Sequence, residues 1–183
     1  MDGSSKKGII MDDKLGYALL LAAFGLVGKY FFDWLAARNH AIAFQQAILA
    51  EIYALLNLIE VRNYRKFLED GIFGSSLNSL TDTPYLLSMN IQDNYCPVYY
   101  NNLDKIQLLN KNIAKDVVLF YALIASLVQD LKPEGVFNNK VHSSVEAYKA
   151  GLTILDMAIK TGEKLISIQY RKELNNNGNS SIK

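Results

Sequence analysis

Fourteen consecutive residues, Leu15 to Gly28, carry no charge, and an aromatic cluster follows at Tyr30, Phe31, Phe32 and Trp34. Alone, the fourteen suit a core helix or the apolar part of a secretion signal, because a helical span needs about 20 residues. The cluster extends them. Aromatic rings of this kind settle at membrane–water interfaces, and a lysine there can lift its ammonium to the headgroups along an apolar stem. Lys29 and Asp33 stand one helical turn apart and can partly neutralise each other. Leu15–Trp34 then measures about 30 Å as a helix, the thickness of the hydrocarbon layer. A transmembrane helix over 15–35 is therefore favoured over a soluble or interfacial helix and over a signal peptide. Leu35 is bulkier than an A-x-A cleavage site ending at Ala37 accepts. Lys29, Tyr30, Phe31, Phe32, Asp33 and Trp34 are the candidate interface residues, and the lipid bilayer is the expected partner.

Orientation follows from lysine and arginine placement. Lys6, Lys7 and Lys14 precede the span and Lys29 and Arg38 follow it, close to a tie. Translation from Met11 rather than Met1 would leave Lys14 alone in front. Cys96, the single cysteine, excludes an intrachain disulfide and fits a reducing compartment. The expectation is a short outer tail over 1–14 and a larger domain on the cytoplasmic side of the inner membrane.

No proline occurs before Pro84 and no glycine from Lys29 through Asp70, so the span is expected to continue as a stalk helix over 36–70 that stops near Gly71. Ala41, Phe44, Ile48, Ile52, Leu55 and Ile59 give it one apolar stripe, widened by Leu49 and Leu56. Residues 71–96 hold turn formers and no helical period, predicting an irregular connection with one short extended piece near Tyr85–Ile91. A helical domain over 97–174 follows. Pro97 suits a first helical turn, Asn110 an N-cap, and Ile113, Val117, Phe120, Tyr121, Ile124, Leu127, Val128 and Leu131 share one face. Ser143-Ser144-Val145-Glu146 has the form of a capping box for the last helix. That helix shows two apolar sides: Val145, Tyr148, Leu152, Leu155, Ile159 and Ile166 on one, and Ile154, Met157, Leu165 and Ile168 as a candidate partner face on the other. It is either central in its bundle or paired with a second chain. Residues 175–183 are polar and expected to be disordered. The fold class is all-α: a transmembrane helix leading into a long stalk, packed with about three further helices as an antiparallel bundle.

Chemistry is sparse. His40 and His142 have no helical partner and Cys96 stands alone, so no metal or catalytic-thiol pattern exists. No phosphate-binding glycine motif occurs. A net charge of +1 and tyrosines without a basic groove point away from nucleic acid. Glu51 is the only charge between His40 and Ile59. It reads as a boundary residue reaching water, the alternative being a buried carboxylate at a helix contact. Ala18, Ala22 and Gly25 place small residues on one side of the span, a candidate helix–helix contact. Neither catalysis nor a cofactor is expected.

Three segments carry a resemblance: "RNHAIAFQQAILAEIYALLNLIEVRNY" after the span, "CPVYYNNLDKIQLLNKNIAKDVVLFYALIASLVQDL", and "LTILDMAIKTGEKLISIQYRKEL". Their shared marks are Ala50-Glu51-Ile52; Pro97, Tyr99, Asn102, Leu103, Ile106, Leu108 and Leu109; Phe120-Tyr121; and Ala158, Gly162, Leu165 and Ile166. The pattern resembles a broad group of uncharacterised bacterial, often prophage-associated, single-pass membrane proteins. Arg38 stands alone where that group carries several arginines. The resemblance implies a cytoplasm-facing helical domain on a membrane anchor and transfers no catalytic residue. The functional expectation is a non-enzymatic interaction or scaffold protein with a protein partner or a second copy. The alternative is a membrane-active or regulatory component, of phage-exclusion or stress type, acting through helix oligomerisation.

Overall fold

The computed structural model describes residues 6–78 and 85–180, and the side chains of Tyr17, Leu21 and residues 23–76 and 85–168. The described residues are all-α, with no strand among them. Helix α1 spans Lys6–Val61, α2 Tyr64–Asn78, α3 Pro97–Tyr100, α4 Lys111–Leu131 and α5 Val145–Ser180, with short 3-10 turns at Leu103–Leu108 and Val136–Asn138. The chain divides into two compact units, Met1–Phe44 and Gln45–Lys183, with the boundary inside α1.

Several expected boundaries are corrected. The tail over 1–14 is helical from Lys6, and the tail over 175–183 is helical through Ser180; residues 1–5 and 181–183 lie outside the described residues. The stalk does not run unbroken to residue 70. It breaks at Arg62–Asn63, where Asn63 takes φ 52°, a left-handed conformation that asparagine tolerates better than most residues and that ends helices. Helix α2 then passes straight through Gly71, so 71–78 belong to a helix and not to the connection. The first helix of the second unit buries its predicted stripe, with Ile48 and Ile52 fully enclosed and Leu49 and Ile59 nearly so.

In the second unit, α5 packs against α2, the end of α1 and α4. The order of contacts gives the directions. Gly162 faces Leu56, Asp156 pairs with Arg65, and Tyr148 packs over Gly71, so α5 runs antiparallel to α1 and α2. Lys164 pairs with Asp116 at 2.7 Å and Gly162 meets Phe120, so α4 is antiparallel to α5 as well. Helices α1 and α4 consequently run in the same direction. Tyr121 sits at Glu51, and Ile124, Leu127 and Leu131 face Leu55 and Ile59 around an apolar cavity of about 70 Å³. A parallel pair needs a returning connection, and residues 85–110 provide its descent. Leu87 N–H donates to Phe137 O, Met89 N–H to Leu131 O, and Val98 N–H to Glu51. The predicted extended piece at 85–91 is part of this strap.

The caps and glycines show what local signals meant. Asn110 Oδ1 accepts from Asn112 N–H, as an N-cap does, and Pro97 opens α3. The last cap is one residue off: Ser144 Oγ accepts from Ala147 N–H, while Ser143 Oγ donates to Tyr85 O. Gly71 is a point of close approach. A Cβ there would overlap the ring of Tyr148, which is fully buried, stacked on Phe137 at 4.7 Å and bonded to Tyr85 O at 3.2 Å. Alanine gains about 1 kcal/mol of helix propensity over glycine, but overpacking a ring that cannot yield costs about 1–3 kcal/mol and branching adds to it. Gly71→Val is therefore expected to destabilise the unit by about 2 kcal/mol in chemical unfolding, and a neutral result would mean that α2 and α5 do not meet there.

Candidate membrane helix and contact surfaces

Within the first unit, Tyr17, Leu21, Phe24, Leu26, Val27, Tyr30, Phe31, Phe32 and Trp34 are all exposed, several by about 70% of their surface (Leu21 and Phe24 73%, Tyr30 72%). They take up about two thirds of the circumference of α1, and the remaining side carries Gly25, Lys29 and Asp33, which are exposed as well. The Arg38 guanidinium lies 5.6 Å from the centre of the Trp34 ring, a cation–π distance that steadies the first arginine after the apolar run. A Cβ added to Gly25 meets nothing within 4 Å, and the side chains of Ala18 and Ala22, the other two residues of the expected helix–helix contact, lie outside the described ones.

Two helices are long and apolar enough to cross a membrane, over Ala23–Val61 and Lys111–Asn138. Their surroundings differ. In α4 the apolar residues Ile113, Val117, Phe120, Tyr121, Ile124, Leu127 and Leu131 are buried against the bundle, as in the core helix of a water-soluble domain. Among the described side chains of residues 17–35, none is buried.

Among the described residues, Glu51 is the carboxylate that joins three elements. Its Oε1 accepts from Val98 N–H at 2.7 Å, and its Oε2 accepts from Tyr99 N–H at 3.1 Å and from Tyr121 O–H at 2.7 Å. The backbone donors are the second and third N–H of α3, so α1 supplies, through space, the cap that α3 lacks in its own sequence. The Tyr99 ring stacks on Tyr121 at 3.9 Å and 11°. Glu51 is half-buried, so it stands at a boundary, as the first sequence reading has it, while its bonds place it at the helix contact of the second. With its donors satisfied the group has no free edge aimed at a substrate, and its role is to hold α1, α3 and α4 in register.

Beside it, Cys96 is fully buried, and burial first and the Glu51 charge second push its thiol up to about 12. The Tyr95, Tyr99, Tyr121 and Tyr148 hydroxyls are also pushed up, chiefly by burial. For Cys96 the folded chain binds a proton that the unfolded chain releases above the ordinary thiol value of 9.0. Its contribution is thus complete below that pH and is lost as pH rises toward 12. At pH 8 the native thiol should react with iodoacetamide about a thousandfold more slowly than the unfolded one, from thiolate fraction alone. Equal rates in native and denatured protein would show that this pocket is open.

The candidate partner residues do not form one face. Met157 is 47% exposed, Ile154 and Ile168 are half-buried, and Leu165 is 2% exposed in the core. The two apolar sides of α5 are the flanks of a single buried arc through Tyr148, Gly151, Leu155, Ala158, Gly162 and Leu165, which is why sequence periodicity made them look opposed. The open apolar surface is elsewhere. A groove of about 730 Å³ runs between α1 and α5, floored by Leu56, Ile159 and Ile166, flanked by Tyr53 and edged by Glu60 and Glu163. Sequence reading missed it because Ile159 and Ile166 belong to the side assigned to the core. Among the described residues, no group of three or more His, Cys, Asp or Glu could hold a metal. No family model, curated protein or solved structure matches the chain.

Proposed function

We propose that the chain is a membrane-anchored helical interaction protein that works without catalysis, with residues 15–35 crossing the inner membrane once and the Gln45–Lys183 unit held on the cytoplasmic side. One observation carries the reading: the exposure of ten large apolar side chains, Tyr17, Leu21, Phe24, Leu26, Val27, Tyr30, Phe31, Phe32, Trp34 and Leu35, on a helix segment with no buried described side chain. At about 25 cal/mol per Å² of apolar surface, a run of such side chains left in water is a cost that a bilayer removes. Isolated patches of this extent on soluble proteins mark interaction sites, and one that takes up most of a helix's circumference suits lipid.

The α1–α5 groove supports the interaction half of the proposal, since its apolar floor and its charged rim of Glu60, Glu163 and Arg65 are the makings of a helix- or peptide-binding surface. Glu51, the strongest polar node, is spent on internal bonds, which favours a structural over a catalytic domain. Chemical cross-linking in native membranes tests the reading. The expected result is a defined cross-linked species, homo-oligomeric or with a partner, that Tyr53→Asp in the groove abolishes while membrane retention is kept. Recovery of monomer alone would contradict it.

A further inference from the structure

The second unit has a definable lower end. The chain enters it at Gln45, and the returning strap descends past Leu55 and Ile59 at Tyr95, then past Glu51 at Val98 and Tyr99. Helix α4 rises from Lys111 to meet Glu51 with Tyr121, ten residues or roughly 15 Å along its axis. The corner formed by α3, the 3-10 turn and the first turn of α4 therefore lies at the end of this unit where α1 leads in.

This corner exposes two leucines, Leu103 at 53% and Leu108 at 42%, beside the half-exposed Tyr100, whose ring and hydroxyl are engaged by Tyr95. Lys105, Lys111 and Lys115 are exposed with them, and Asp104 is the single acid between Cys96 and Lys115. Leu109, next to Leu108, is buried, which pins the corner to the core and leaves its outer side chains standing free. Exposed leucines interleaved with lysines on a short irregular helix are the composition of a surface that inserts shallowly among anionic headgroups.

We propose that this corner docks on the anionic surface of the same bilayer that holds the anchor, an inference that rests on the membrane reading above. Chain length supports the occupant. Nine residues, 36–44, separate Leu35 from Gln45, which is about 14 Å as helix and about 30 Å at full extension, so the tether is short enough to keep this end of the unit within reach of the bilayer surface. The lysines supply the complement to anionic lipid, and the leucines supply the depth. Docking at two points, anchor and corner, fixes the height and tilt of the bundle above the membrane and with them the direction in which the α1–α5 groove opens.

The full chain carrying Cys96→Ala, with Leu108→Cys or Val141→Cys labelled by an environment-sensitive fluorophore, is reconstituted into phosphatidylcholine vesicles with and without phosphatidylglycerol. Val141 is the control: it is 83% exposed and precedes α5 at the other end of the bundle. Brominated lipid should quench the label at position 108 by about twofold in the phosphatidylglycerol vesicles and leave that at 141 unchanged. Combined Lys105→Glu, Lys111→Glu and Lys115→Glu should bring position 108 to the control level while the chain still floats with the vesicles. Floating protein whose label at 108 is quenched no more than at 141 overturns the docking and leaves the anchor standing. Protein that does not float overturns both.

Discussion

Glu51→Ala is expected to destabilise the Gln45–Lys183 unit by about 3 kcal/mol, because leaving buried donors unpaired costs about 1–3 kcal/mol each and losing a helix cap costs about 1. Tyr121, 2% exposed, would keep its hydroxyl with no acceptor, and the first turn of α3 would lose the carboxylate that takes both its free N–H groups. Against a typical total of about 5–15 kcal/mol, that is a large fraction. The effect should be smaller for Glu51→Gln, whose amide oxygen can still accept. In Tyr121→Phe the donor itself is gone, so the double variant Tyr121→Phe with Glu51→Ala should be destabilised by at least about 1 kcal/mol less than the two single changes summed. Chemical unfolding of the four proteins measures this directly. A Glu51→Ala variant within about 0.5 kcal/mol of the parent would mean that the three bonds are not made.

Phe24→Asp is the second large effect. Phe24 is 73% exposed near the middle of Leu15–Trp34. A carboxylate at the centre of a span costs about 3 kcal/mol on insertion scales, while phenylalanine there is favourable by a few tenths. The ratio of inserted to uninserted chain should fall by about a hundredfold, seen as protein lost from carbonate-washed membranes. Tyr53→Asp, at a comparably exposed aromatic in the second unit, should leave the membrane fraction unchanged. Equal behaviour of the two variants would remove the distinction drawn between residues 17–35 and the rest of α1.

What the sequence made legible was whatever depends on neighbours three or four residues away. The stripe from Ile48 to Ile59, the buried face of α4 and the Asn110 cap all follow from helical spacing and from one side chain reaching the next turn. Where the decisive partner is distant in sequence, reading failed or stayed open. Glu51 finds its donors 47 to 70 residues away, and nothing beside it announces Val98 or Tyr121. Gly71 carries the same letter whether it ends a helix or admits an aromatic ring, and the ring is Tyr148 on another helix. The two sides of α5 separate only once α2 and α4 are seen to share one arc of it. Asn63 was visible as a residue that accepts positive φ, but asparagines are common in helices and the stripe around it gave no reason to break there.

The account depends most on residues 15–35 being in lipid, and extraction of isolated membranes at alkaline pH tests that with the fewest intermediates. A single-span anchor stays with the sedimented bilayers through carbonate washing and leaves them only in detergent. Protein released by carbonate into the supernatant would contradict the anchor, and with it the topology, the docked corner and the membrane setting proposed for the α1–α5 groove.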